Sequence, residues 1–65
     1  MKLVINGRPR EARSTTLAAL VEEFGFQAAC VATALNGEFV PRDARDRTEL
    51  SPGDRVEVLA PMQGG

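Results

Sequence analysis

The sequence predicts an α+β fold, a mixed sheet of four to five strands with one helix packed across one face. Three observations carry this. Asn-Gly pairs at Asn6-Gly7 and Asn36-Gly37 each follow a short apolar run. Asn-Gly is the strongest short hairpin signal, because both turn positions need positive φ. Leu17, Leu20, Val21 and Phe24 fall at i, i+3, i+4 and i+7, the period of a single helical face. Arg55-Val56-Glu57-Val58-Leu59 alternates polar and apolar residues, the period of a strand.

The elements follow in order. Lys2-Leu3-Val4-Ile5 is a short β-branched strand that ends at Asn6-Gly7. Arg8 to Arg13 is the return strand. Pro9 lies within it and cannot donate to a ladder, so this strand belongs at a sheet edge. Ser14-Thr15-Thr16 supplies helix-capping hydroxyls, with Thr16 as the N-cap. The apolar stripe from Leu17 to Phe24 then gives a two-turn helix of about eight residues, too short to stand alone. Gly25 stops it at the C′ position, and Phe26 can fold back on the last turn.

Ala28 to Leu35 reads as the next extended run. Val31, Thr33 and Leu35 share one parity and Ala32 and Ala34 the other, and either face can be the inner one. Glu38-Phe39-Val40 returns after Asn36-Gly37, and Pro41 ends it. Residues 42–50 read as charged and irregular. Ser51-Pro52-Gly53-Asp54 is a strong turn before the final strand, with Pro at i+1 and Gly at i+2. Pro61 breaks that strand, and residues 61–65 read as a flexible tail on a single domain spanning 1–65. Five residues reach at most roughly 17 Å when extended.

Composition removes several function classes. A chain of 65 residues with one cysteine and no histidine has neither an intramolecular disulfide nor a Cys/His zinc site. No metal site is expected. The fold must rest on a small aliphatic core, near the lower limit for unaided folding. Net charge is −1, and arginines alternate with acids in Arg42-Asp43 and Arg45-Asp46-Arg47. That pattern is a solvated surface rather than a basic field for nucleic acid. No apolar run approaches the ~20 residues that span a membrane, and no secretory leader is visible. A monomeric, cytoplasmic protein is the expectation. No nucleophile–base pair or phosphate-binding glycine loop is evident, so an autonomous enzyme is disfavoured.

Gly64-Gly65 closes the sequence. Two glycines are poor residues for holding a small fold together, since glycine loses the most conformational entropy on ordering. Without side chains, however, they can thread a carboxylate down a narrow slot.

A helix laid across a mixed sheet with a hairpin on either side is the ubiquitin-like β-grasp plan, whose first and last strands run parallel at the centre. Within that plan the chain resembles the ThiS family, the bacterial sulfur carriers of thiamine biosynthesis. The likeness covers essentially the whole chain. It rests on the opening Met1 to Gly7, the Leu17–Phe24 stripe with Gly25, the run from Val31 to Arg42, the segment Pro52 to Val58, and the Gly-Gly end. Asn36-Gly37-Glu38 with Val40-Pro41-Arg42 is its most specific part. Cys30 is not a family feature.

The resemblance implies a carrier protein rather than an enzyme, with no bound cofactor. An E1-like adenylyltransferase would consume ATP to adenylate the carboxylate of Gly65. A sulfur-transfer protein would convert it to a thiocarboxylate, and thiazole synthase would take the sulfur for the thiazole ring of thiamine. Gly64 would let the tail thread each active site. Leu59 and Met62, with Phe39 as a third, are the candidate apolar anchors for partners, although Leu59 and Phe39 read equally well as core. Arg42 and Arg55 are further candidates that read more simply as surface charge. Cys30 reads as the start of a buried strand. Two alternatives share the Gly-Gly end. One is the small subunit of molybdopterin synthase, generally a longer chain. The other is a ubiquitin-like modifier, for which the lone Lys2 leaves little scope for chain building.

Overall fold

The computed structural model describes residues 1–60. The tail 61–65, with Met62, Gly64 and Gly65, lies outside the described residues. Five strands form one sheet: β1 (Lys2–Ile5), β2 (Arg8–Glu11), β3 (Ala32–Leu35), β4 (Glu38–Val40) and β5 (Arg55–Leu59). One helix, α1 (Leu17–Glu23), packs across it. The spatial order is β2-β1-β5-β3-β4. β1 and β5 run parallel at the middle, and every other neighbouring pair is antiparallel. This is the ubiquitin-like β-grasp expected from the element order. β2, which carries Pro9, lies at an edge as Pro requires.

Both Asn-Gly pairs form the tight turns their chemistry demands. Asn6 and Gly7 have φ of 51° and 82°, and Asn36 and Gly37 have 51° and 88°. These positive values match a type I′ hairpin turn, whose twist suits the flanking strands.

The helix begins and ends as its residues dictate. Thr16 is the N-cap, and its Oγ1 accepts from Ala19 N–H at 3.2 Å. At the other end Gly25 adopts φ of 80°. Its N–H donates to the Glu22 carbonyl, while Phe26 N–H donates to the Val21 carbonyl, each at 3.0 Å. Together these are the paired bonds of a Schellman motif.

The core lies between helix and sheet. Leu17 and Leu20 from α1 meet Leu3, Ile5, Val56 and Val58 from the two central strands, with Ala12, Val40 and Leu50 closing the sides, and Val21 of α1 is buried as well. Phe24, Phe26, Val31 and Leu35 are partly buried against this cluster. The inner parity of β3 is that of Thr33, and Ala32 and Ala34 face outward.

Two segments differ from expectation. The extended run does not start at Ala28, because Ala28–Cys30 is a 3₁₀ turn and β3 begins only at Ala32. Residues 42–50 are not irregular. Arg42–Arg47 form a second 3₁₀ helix, and Thr16 bridges Glu49. Backbone bonds from Leu17 to Thr48 and from Leu50 to Thr15 tie that bridge to the start of α1.

Arg45 ties the two segments together. Its side chain is buried at 4% exposure. Nε donates to Thr33 Oγ1 at 3.0 Å, and the two terminal nitrogens donate to the carbonyls of Ala28 and Val31 at 3.0 and 2.6 Å. Thr33 Oγ1 in turn donates to the Val40 carbonyl at 2.9 Å. The rigid guanidinium fork suits such multiple acceptors. It joins the turn before β3 to the second 3₁₀ helix.

Candidate functional site

The sheet face turned away from α1 is built by strand alternation. In β5, Val56 and Val58 point into the core, so Arg55, Glu57 and Leu59 point out. The ladder register sets their neighbours. Ala32 pairs with Leu59, Ala34 with Glu57, and Phe39 of β4 with Ala34. Paired residues share a face, so Leu59, Ala32, Ala34 and Phe39 form one apolar patch. Two alanines separate the large side chains and leave both standing clear. Phe39 is 70% exposed and Leu59 65%.

Neither residue is therefore core, which removes one of the two readings the sequence left open for them. Exposed large apolar residues grouped on one face make a candidate interaction surface. The patch adjoins the end of β5, and the chain passes from Leu59 through Ala60 toward the tail. Met62, Gly64 and Gly65 follow outside the described residues.

The other sequence candidates fall elsewhere. Arg42 and Arg55 are exposed. Arg55 shares the outer face with Glu57, whereas Arg42 opens the second 3₁₀ helix on the far side of the sheet. Cys30 is exposed rather than buried, and its Sγ lies 3.4 Å from Gln27 Oε1. The expectation of a core cysteine fails because the segment before β3 turns instead of extending into the sheet. Arg45, which sequence reading placed on the surface, is buried. Its flanking Ala44 and Asp46 give no hint of this.

On the helix side a cleft of about 500 Å³ is lined by residues including Glu22, Arg42, Asp43 and Asp46. The mixed charges there bring together no nucleophile and base. Among the described residues no cluster of His, Cys, Asp or Glu could hold a metal ion. No helix among them is long and apolar enough to cross a membrane.

Comparison with known proteins matches this architecture. Residues 3–65 match the model of the ThiS family. The chain is 45% identical over 62 residues to a sulfur carrier protein ThiS of Thermus thermophilus, covering 94% of this chain and 95% of that one. It is 39% identical over 66 residues to a thiazole synthase of Paramagnetospirillum magneticum, of whose length it spans only 20%. The crystal structure of a thiamine biosynthesis protein (ThiS) from Geobacter metallireducens is similar over the full length of both chains, with a TM-score of 0.85 at 36% identity. A solution structure of a thiamine biosynthesis protein from that organism gives 0.82 at 36% identity, over all of this chain and 88% of the other. By sequence and by fold, the chain belongs to the ThiS family.

Proposed function

We propose that the chain is a sulfur carrier for thiazole formation in thiamine biosynthesis, acting as a co-substrate of other enzymes. The observation that carries this is the match to the Thermus sulfur carrier over nearly the whole of both chains. The match to a segment of a thiazole synthase supports that enzyme as the acceptor of the sulfur.

The chemistry explains the terminal glycines. A carboxylate resists nucleophilic attack through its charge and resonance. An E1-like adenylyltransferase joins the Gly65 carboxylate to the α-phosphorus of ATP and releases pyrophosphate. A sulfur-transfer protein then delivers sulfur at the sulfide level. The new C–S bond forms as the C–O bond to AMP breaks, and a glycyl thiocarboxylate remains. Gly65 brings no Cβ into either active site, and Gly64 adopts whatever φ each demands. The outer patch of Leu59 and Phe39 docks the domain while the tail enters, and Met62 remains a further candidate anchor by its sequence. Such docking must be reversible, and a small apolar patch on a polar face suits a transient contact.

One pyrophosphate-exchange assay with the adenylyltransferase of the same organism tests both parts. Gly65→Val folds normally and supports no exchange, and a normal rate would sink the reactive-glycine reading. Phe39→Thr and Leu59→Thr leave stability within about 0.5 kcal/mol, as exposed positions do. Each raises the KM for the carrier roughly tenfold, the scale of a truncated interface anchor. An unchanged KM in both would remove the patch from the interface.

A further inference from the structure

The β1–β5 ladder stops before β5 does. β1 pairs with β5 only through Val4–Arg55 and Ile5–Val56, after which the chain turns away at Asn6-Gly7. No backbone of β1 comes level with Val58. The side chain of Asn6 takes its place. Asn6 Oδ1 accepts from Val58 N–H at 2.8 Å, and Asn6 Nδ2 donates to the Val58 carbonyl at 3.1 Å. Asn6 N–H donates to the Val56 carbonyl at 2.9 Å. The amide thus imitates one further residue of strand and extends the ladder by one rung. Of the turn-forming residues only Asn carries both the donor and the acceptor for this and tolerates a φ of 51°.

Asn36 makes the comparable brace at the other end of β5. Its Oδ1 accepts from Arg55 N–H at 2.9 Å, and its Nδ2 donates to Asp54 Oδ1 at 3.1 Å. Both turns therefore hold β5 by side chain, but at different ends. Asn36 holds the entry. Asn6 holds Val58, next to the outward Leu59 and two residues before Ala60 leads into the tail.

We propose that Asn6 is a positioning residue for sulfur loading. By fixing both peptide groups of Val58, it sets the direction in which β5 delivers the C-terminal glycine and keeps Leu59 ordered on the docking patch. This rests on the carrier reading above. Without the amide, the end of β5 is held through β3 alone, where Ala32 pairs with Leu59. The ordering lost in the free domain is then supplied on docking, which weakens binding without altering the reacting atoms.

The test compares Asn6→Gly with Asn36→Gly. Both retain a residue suited to positive φ, and each deletes a pair of side-chain amide bonds, on Val58 for Asn6 and on Arg55 and the preceding Asp54 for Asn36. With the adenylyltransferase and ATP, Asn6→Gly raises the KM for the carrier about tenfold and leaves kcat within about twofold, the worth of one to two net hydrogen bonds. Asn36→Gly changes KM less than about twofold in the same assay. Amide hydrogen exchange at Val58 accelerates in Asn6→Gly and not in Asn36→Gly. If Asn6→Gly does not fold, Asn6→Asp carries the test, because it keeps the turn and the acceptor but sets an oxygen against the Val58 carbonyl. It raises KM by at least as much, since the two facing oxygens repel. Equal effects of the two glycine variants would show a merely structural brace and overturn the proposal. So would an unchanged KM in the Asn6 variants while the wild-type chain exchanges normally. No exchange with the wild-type chain would instead overturn the carrier reading, and the delivery role with it.

Discussion

Arg45 holds its buried charge with three neutral acceptors: the carbonyls of Ala28 and Val31 and the hydroxyl of Thr33. Desolvating a guanidinium is expensive, and full use of its donors is what offsets the cost. Arg45→Ala leaves those acceptors without their donor and deletes the aliphatic stem packed beneath them. The expected loss is about 2–4 kcal/mol, because water reaches the partly buried carbonyls and spares the full penalty. Chemical denaturation measures it, and a loss below about 1 kcal/mol would mean the fork is incidental. Arg45 also marks where sequence reading failed. An arginine between an alanine and an aspartate in a charged run looks solvated, and its burial is decided by Thr33 and by carbonyls 14 and 17 residues away. Asn6 shows the same limit. Its turn was legible because turn chemistry is local, while its bonds to Val58 span 52 residues.

At the scale of elements, legibility followed locality. The helix was readable to within a residue because Thr16, the Leu17 to Phe24 stripe and Gly25 each act inside the segment they define. The 3₁₀ turn at Ala28–Cys30 was not, because a side chain from another element braces it. A second contact ties the end of the helix to the connection that precedes it. The carboxylate of Glu23, in the last turn of α1, accepts from the N–H groups of Arg13 and Ser14 and from Ser14 Oγ. The Ser14 hydroxyl and then the Arg13 N–H stabilise the ionised form and lower its pKa from the ordinary 4.5, outweighing a small opposing effect of burial. A lowered folded-state pKa means that the folded chain binds fewer protons there than the unfolded chain. The stabilisation is fully present above 4.5 and fades as pH falls through the lower folded-state value. Wild type should exceed Glu23→Gln in stability at neutral pH, and the gap should narrow below about pH 4 in parallel denaturation curves. A gap that widened on acidification would contradict this assignment.

At the scale of the molecule, the domain spends its residues on a single layer of helix over a single sheet, and one sheet face is left uncovered. A 60-residue domain can bury only about 60% of the surface its unfolded chain exposes. The strands that supply most of the sheet's buried side chains, β1 and β5, lie side by side, and Pro9 holds β2 to an edge. The side of the sheet that α1 would cover was not legible before the ladders were known. The alternation in β3 gave two parities without saying which was inward, so Leu59 and Phe39 could be core or surface. Register decided it, by pairing Ala34 with Phe39 and Ala32 with Leu59 on the open face. Under the carrier reading proposed above, the domain serves as a holder for its C-terminal glycine. Intact-mass analysis after incubation with the adenylyltransferase, ATP and a sulfur donor tests that most directly. The account predicts a gain of about 16 Da, one oxygen replaced by sulfur, on the wild-type chain and none on Gly65→Val. An unchanged wild-type mass, or conversion to high-mass conjugates, would contradict it.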